Sequence, residues 1–314
     1  MSKQALIAIL DGCPDGAEAP DGIRLLHLGR FIAALATDIS GVFSLLPNRR
    51  QALQQAVQRQ AQLEQCMRLG TVLPVRPNAH LDDAAVQAFV TANAEILAGV
   101  SHRVRQAQQF QVTVKWTASD VLSHFRDAPE IAPLFAGERT TAPALQAAIT
   151  RLATRLHALM QQEISGVAQD MILLPHTDDV IFNTVLLVAE SDAFNLDLAV
   201  ERIDAIWPEG FAIRQIGPAP ASSFALIDPM WVSADQVAEA YATLGLPNGS
   251  DADAITNARR AALMQPGCDA DHIRRAAQTV HAAAQLDQIH DGIHMCLIRA
   301  DGQSEIKVHH RDVA

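Results

Sequence analysis

The sequence predicts an α+β fold, and three observations carry that prediction. The chain has 314 residues, 49% of them hydrophobic, enough for two or three cored domains at about 100–200 residues each. Between Phe110 and Ile227 strand-like and helix-like patterns alternate along the chain. Beyond residue 228 the character changes to Ala-rich helices.

Taken in order, Ala5–Leu10 is a short apolar run that reads as a first strand, followed by the turn-rich Asp11–Gly22 with Pro14, Gly16 and Pro20. Arg24–Thr37 mixes apolar and small residues and fits either strand or helix. After Pro47, NRRQALQQAVQRQAQLEQCMRL is a helix of strong formers with Leu53, Val57, Leu63 and Met67 at loosely helical spacing. Its many Gln residues read as a solvated face. Thr71–Val75 is β-branched and strand-like. Asp82 and Asp83 then open a helix running to Gly99, because carboxylates favour the positive end of the helix dipole. Val100–Gln109 continues as helix or link.

Phe110, Val112, Val114 and Trp116 alternate with polar residues, the pattern of a half-buried strand. Thr141–Ile164 is helical, with Pro143 near its start and Gly166 past its end. Met171–Pro175 and Val180–Glu190 are strands joined by the polar turn His176-Thr177-Asp178-Asp179. Phe194–Trp207 is an amphipathic helix stopped by Pro208 and Gly210. Phe211–Ile216 is a strand entering Gly217, Pro218 and Pro220, and Ser223–Ile227 resumes as strand. The order βαββαβ is the ferredoxin-like, split-βαβ arrangement. Val232–Leu244, Asp253–Met264 and His272–Gln288 follow as helices, and IHMCLIRADGQSEIKVHH reads as a hairpin turning at Asp301–Gly302.

Charge excludes some functions. The formal net charge is −11, unsuited to neutralising phosphates or anionic lipid, so neither nucleic acid nor membrane is an expected partner. Cys13, Cys66, Cys268 and Cys296 are widely spaced with no C-x-x-C pair, so neither a disulfide framework nor a zinc knuckle is expected. The start MSKQALIAILDG is too short and too soon interrupted by Asp11 for a signal peptide, and no apolar run approaches the ~18 residues of a membrane span. The expected setting is soluble and cytosolic.

Catalytic motifs are missing. There is no G-x-S-x-G elbow, no Walker A loop, no G-x-G-x-x-G and no H-E-x-x-H. Among the 12 histidines, His176 with Asp178 and Asp179 offers imidazole and carboxylate for a divalent ion, although a hairpin turn needs the same residue types. His290 and His294 are separated by the helix-breaking Asp291–Gly292, and His309 and His310 would face opposite ways on a strand. Cys13 beside Pro14 lacks a neighbouring base. No cofactor is expected. The apolar Val185–Val188 and Phe224–Ile227 read as core, or as surface that holds a hydrophobic partner.

Three stretches resemble the GvpL/GvpF family of gas vesicle proteins. They are LGTVLPVRP at Leu69–Pro77, VTVKW at Val112–Trp116, and the run from Asn183 to Ile227. The most specific piece is Gly217-Pro218-Ala219-Pro220 followed by Ser223–Phe224. The chain departs from the family at Pro77–Ala79, where the family has Phe-Gly-Thr, and at Ala221–Ser222, where it has Pro-Tyr. Those missing aromatics account for part of the low aromatic content of 4%. The resemblance implies an α+β domain over residues 1–107 and a ferredoxin-like domain over 108–228, leaving a helical extension with a terminal hairpin over 229–314. It implies a non-enzymatic assembly protein, cytoplasmic and associated with gas vesicles. Its partners would be the small hydrophobic shell protein, held through the amino-terminal domain, and other accessory proteins. Leu73, Pro74, Arg76, Trp116, Gly217, Pro218, Pro220 and Phe224 are the structural or interaction residues it singles out. Arg76 would either bond local carbonyls or meet an acidic group on the partner.

Residues Ala240–Gly267 more faintly resemble a J-domain, with Gln265-Pro266-Gly267 where the signature His-Pro-Asp would stand. An ordinary Ala-rich appendage fits equally. The competing functions are therefore a metal-dependent enzyme built on His176, Asp178 and Asp179, and a co-chaperone-like adaptor acting through the tail.

Overall fold

The computed structural model describes residues 3–14, 16–37, 49–77, 79–135, 141–175, 179–284, 292–298 and 300. Helices and antiparallel sheets are mixed along the chain, which divides into two compact units, Met1–Arg105 with Phe224–Ala314, and Gln106–Ser223.

The first unit opens with β1 (Gln4–Asp11), β2 (Ile23–Leu28) and β3 (Phe31–Ala36). Arg24–Thr37, which fitted two readings, lies in a β2–β3 hairpin. Leu28 pairs with Phe31, so Gly29 and Arg30 form the turn, and Gly29 takes the positive φ of 67° that a tight turn demands. Next come α1 (Arg49–Cys66), β4 (Thr71–Pro74), β5 (His80–Leu81), α2 (Asp83–Ala92) and α3 (Ala94–Val104). The sheet order is β2-β3-β1-β4, with β5 pairing the start of β1. Leu6 to Asp11 of β1 are buried without a break, because both faces of this strand are covered. On one face Ala8 and Leu10 pack with Ile32, Ala34 and Val72 against Leu63 and Cys66 of α1. On the other, α3 buries Leu97, Val100, Ser101 and Val104, an i, i+3, i+4, i+7 stripe.

Asp82 caps α2 as its position predicts, its carboxylate accepting the Ala85 N–H at 2.9 Å. The helix does not run unbroken to Gly99. It breaks at Asn93, where the axis bends by 76°. The Asn93 side chain donates to the Phe89 carbonyl at 2.7 Å, competing with continued helix. The bend lets both the Val86–Phe89–Val90 stripe and the α3 stripe reach the interior.

The second unit contains β6 (Ala107–Lys115), α4 (Ala118–His124), α5 (Ala132–Phe135), α6 (Ala142–Ser165), β7 (Asp170–Leu173), β8 (Val180–Ala189), α7 (Ala193–Asp204) and β9 (Ala212–Ala219). Its sheet runs β7-β8-β6-β9 with every neighbouring pair antiparallel. The short helices α4 and α5 have no counterpart in the sequence reading. Phe110, Val112 and Val114 face a core closed by Leu152, Leu156 and Met160 of α6 and by Leu196 and Ile203 of α7.

Beyond the second unit the chain forms β10 (Leu226–Val232), α8 (Ala234–Leu244), α9 (Ala252–Leu263), α10 (Ala270–Ala283) and β11 (Gly292–Ile298). The strand read at Ser223–Ile227 is shifted: it starts at Leu226, runs to Val232 and belongs to the first unit. The three helices share a core of Val237, Tyr241, Leu244, Ile255, Ile273 and Val280. Ser233 and Gln236 form a capping box at α8. β11 pairs with β10, from Leu226↔Ile298 to Val232↔Gly292. The second run of the hairpin expected about Asp301–Gly302 lies outside the described residues. His290, His309 and His310 do as well.

Candidate functional site

Leu73 and Pro74 stand on β4, opposite Ile9 and Ala8 of β1, and both are buried. Leu73 is a core residue and offers no surface. The next residue, Val75, donates its N–H to the Ile7 carbonyl at 2.9 Å. Backbone groups alternate sides along a strand, so position 74 faces away from β1, and proline there costs the ladder no bond. Arg76 faces the same outer side. Its N–H reaches the Ile227 carbonyl at 2.6 Å, and Val75 and Ile227 form a parallel bridge. The Arg76 guanidinium meets Asp228 at 2.6 Å, with the Asp228 side chain only 11% exposed. Of the two roles read for Arg76, its acidic partner in the structure is a residue of its own chain.

Two charged groups that sequence reasoning missed brace the same sheet. Asp11, buried at the end of β1, accepts two hydrogen bonds from Arg30 and one from Ser101 Oγ at 2.6 Å, with Arg105 at 3.5 Å. The Arg30 hydrogen bonds are the main reason its carboxyl titrates below the ordinary aspartate value. Arg59 of α1 donates to the carbonyls of Val75 and Ile7. Burial pushes its guanidinium down to about 10. The sequence signal for Arg59 was a basic residue at the start of the helix segment that turns inward. For Asp11 it was a carboxylate ending an otherwise apolar strand.

The remaining singled-out residues lie elsewhere. Trp116 is buried in the core of the second unit, its N–H bonded to the Asp179 carbonyl at 3.0 Å. Gly217 and Pro218 sit near the end of β9, an edge strand, joined by a cis peptide. β6 pairs with β9 from Gln109↔Ala219 to Lys115↔Ala212, so Trp116 and Gly217 occupy opposite ends of that pair. Gly217 has φ of 139° and lies over the Phe110 ring, where a Cβ would fall 2.6 Å from Cδ1 and 2.8 Å from the Gln109 carbonyl. The irregular register at Gln109–Gln111 accompanies this close approach. Pro220 is buried in the second unit and Phe224 in the first.

Of the candidate metal turn, His176 and Asp178 lie outside the described residues. Asp179 pairs with Lys115 at 3.2 Å. Among the described residues no group of three or more His, Cys, Asp or Glu is placed to hold a metal. No single described helix is long and apolar enough to cross a membrane; α2 and α3 qualify only as a pair, bent at Asn93, and each buries one stripe of its residues. Exposed apolar side chains are scattered, with Leu53 and Val57 one turn apart on α1 at 65% and 62% exposure.

A family model described as "Gas vesicle synthesis protein GvpL/GvpF" matches residues 6–225. Two solved structures are similar in fold. The crystal structure of the gas vesicle protein GvpF from Anabaena sp. PCC7120 gives a TM-score of 0.56 at 19% identity, covering 72% of this chain and 98% of that one. GvpF from Microcystis aeruginosa gives 0.54 at 18% identity, with coverage of 72% and 99%. No curated protein matches the sequence.

Proposed function

Because the chain belongs to the GvpL/GvpF family of gas vesicle synthesis proteins and so has a role in gas vesicle formation, we propose that it is a non-enzymatic accessory protein that binds the small hydrophobic shell subunit and assists its assembly. The observation that carries this reading is the family match across residues 6–225. The fold of the GvpF structures supports it. Membership of the family also implies association with gas vesicles and with other gas vesicle proteins. The strand order β7-β8-β6-β9 supports reading the second unit as ferredoxin-like.

The physical logic is that of an escort. A subunit with a large apolar face aggregates unless a partner covers that face. A carrier with a formal charge of −11 keeps the complex dispersed through self-repulsion. Capture is assigned to the amino-terminal part of the first unit, where the Leu69–Pro77 stretch lies.

Co-expression with the shell subunit tests the proposal. The expected result is shell subunit retained in the supernatant after centrifugation and recovered on a tag carried by this chain. Equal shell solubility with and without this chain, together with no co-purification, would overturn it.

A further inference from the structure

The family match ends at Ala225, and β10 begins at Leu226. The added segment thus starts with the strand that touches β4. That contact is narrow. Its main-chain and charged part is the Val75↔Ile227 bridge, the Arg76 N–H bond to the Ile227 carbonyl, and the Arg76–Asp228 ion pair, beside the buried Ile227 side chain. On its other side β10 holds a seven-pair ladder with β11. Although α2 also touches β11, the ladder belongs to the ribbon itself. The ribbon keeps those pairs when it leaves β4, so undocking costs the burial of Ile227 but not the ladder.

The outer edge of β4 is also selective. Pro74 removes one donor from it, and the Arg76 N–H is the donor in use. What the edge accepts is shown by its resident. Ile227 is fully buried there, and the carboxylate of the following residue sits on the Arg76 guanidinium. An apolar extended segment with an acidic residue fits, joined by main-chain pairing and held in register by the charge pair.

We propose that the outer edge of β4 is a strand-docking site that β10 occupies reversibly, and that an extended apolar segment of a partner, bearing a carboxylate for Arg76, enters by displacing it. The tail then acts as a built-in competitor. This rests on the reading above in taking the shell subunit as the natural partner; the edge itself is testable without it.

The probe is a fluorescently labelled peptide with the sequence of Phe224–Val232, added to the full chain and followed by anisotropy. Asp228→Asn weakens the resident strand and raises the fraction of open edge. The peptide is expected to bind this variant about fivefold or more tighter than the unaltered chain, since apparent affinity scales with the competent fraction. A peptide with Asn in place of its Asp should bind the variant more weakly. Arg76→Gln should abolish the difference between the two peptides, and it serves as the second variant if Asp228→Asn folds poorly. Equal or absent peptide binding across the folded forms overturns the docking site, whatever the shell subunit does. In a parallel arm, Asp228→Asn should capture more shell subunit than the unaltered chain, and unchanged capture overturns the competition. If the peptide enters but no form captures shell subunit, the edge stands and the shell reading falls.

Discussion

The Asp11 carboxylate, 3% exposed at the end of β1, is gripped on both oxygens by the Arg30 guanidinium at 2.9 and 2.6 Å. The pair ties the β2–β3 turn to the central strand. Ser101 adds a bond from α3, so sheet and helix share one buried anion. Replacing Asp11 by Asn preserves shape but strips the charge from an acceptor that three groups were placed to meet. The expected loss is about 1–3 kcal/mol at pH 7, read as a lower denaturant midpoint with an unchanged slope.

The same residue sets a pH dependence. Its folded pKa lies below the unfolded value, so its contribution is fully present above about pH 4 and is lost as pH falls through the folded pKa. Urea melts between pH 6 and the acid limit should show the unaltered chain losing stability faster than Asp11→Asn over that range. Parallel curves would show that Asp11 is not the group responsible.

Gly217 is fixed by both conformation and space. At φ of 139° and with a Cβ only 2.6 Å from the Phe110 ring, alanine there must strain the backbone or push β9 away from β6. Gly217→Ala should destabilise by roughly 1–3 kcal/mol. Gly249→Ala has only the conformational cost, because nothing lies within 4 Å of its Cβ position; it should show the smaller drop in thermal midpoint.

Cys66 is fully buried, and burial, with the neighbouring Cys13 thiol adding to it, pushes its pKa up to about 11. Thiolate, not thiol, is the nucleophile. Alkylation with iodoacetamide at pH 8, mapped by mass spectrometry, should leave Cys66 unmodified in the native chain while the half-buried Cys13 reacts. Both should react in denaturant.

Leu53 and Val57 project from the first half of α1, where the side chains of residues 50–58 are all exposed. The double change Leu53→Gln with Val57→Gln should alter stability by no more than about 0.5 kcal/mol. Thermal unfolding checks this. A larger loss would mean that these side chains pack against something in the folded chain.

What the sequence reveals depends on how far apart the cooperating residues lie. Phe110, Val112 and Val114 alternate with Gln111 and Thr113 because one face of β6 meets the core, and that pattern is local. So is the Asp82 cap. The break at Asn93 is harder, since apolar spacing continues through it and only the need to bury two stripes reveals the bend. Asp11 reads as a turn residue until Ser101 and Arg105, 90 and 94 positions away, are brought to it. The β10–β11 ribbon is equally hidden. Local rules favour a turn at Asp301–Gly302, and nothing near Leu226 signals a partner at Ile298. Arg76 is legible as a residue that bonds either local carbonyls or an acidic group, but its partner Asp228, within the same chain, comes from the same long-range pairing.

The first unit is assembled from both ends of the chain, with residues 106–223 forming the other unit between them. On the ribosome its early strands therefore emerge well before β11. At about 5–20 residues per second, that gap lasts roughly 10–40 s. The outer edge of β4 stays bare in the nascent protein until β10 emerges, after the whole of the second unit.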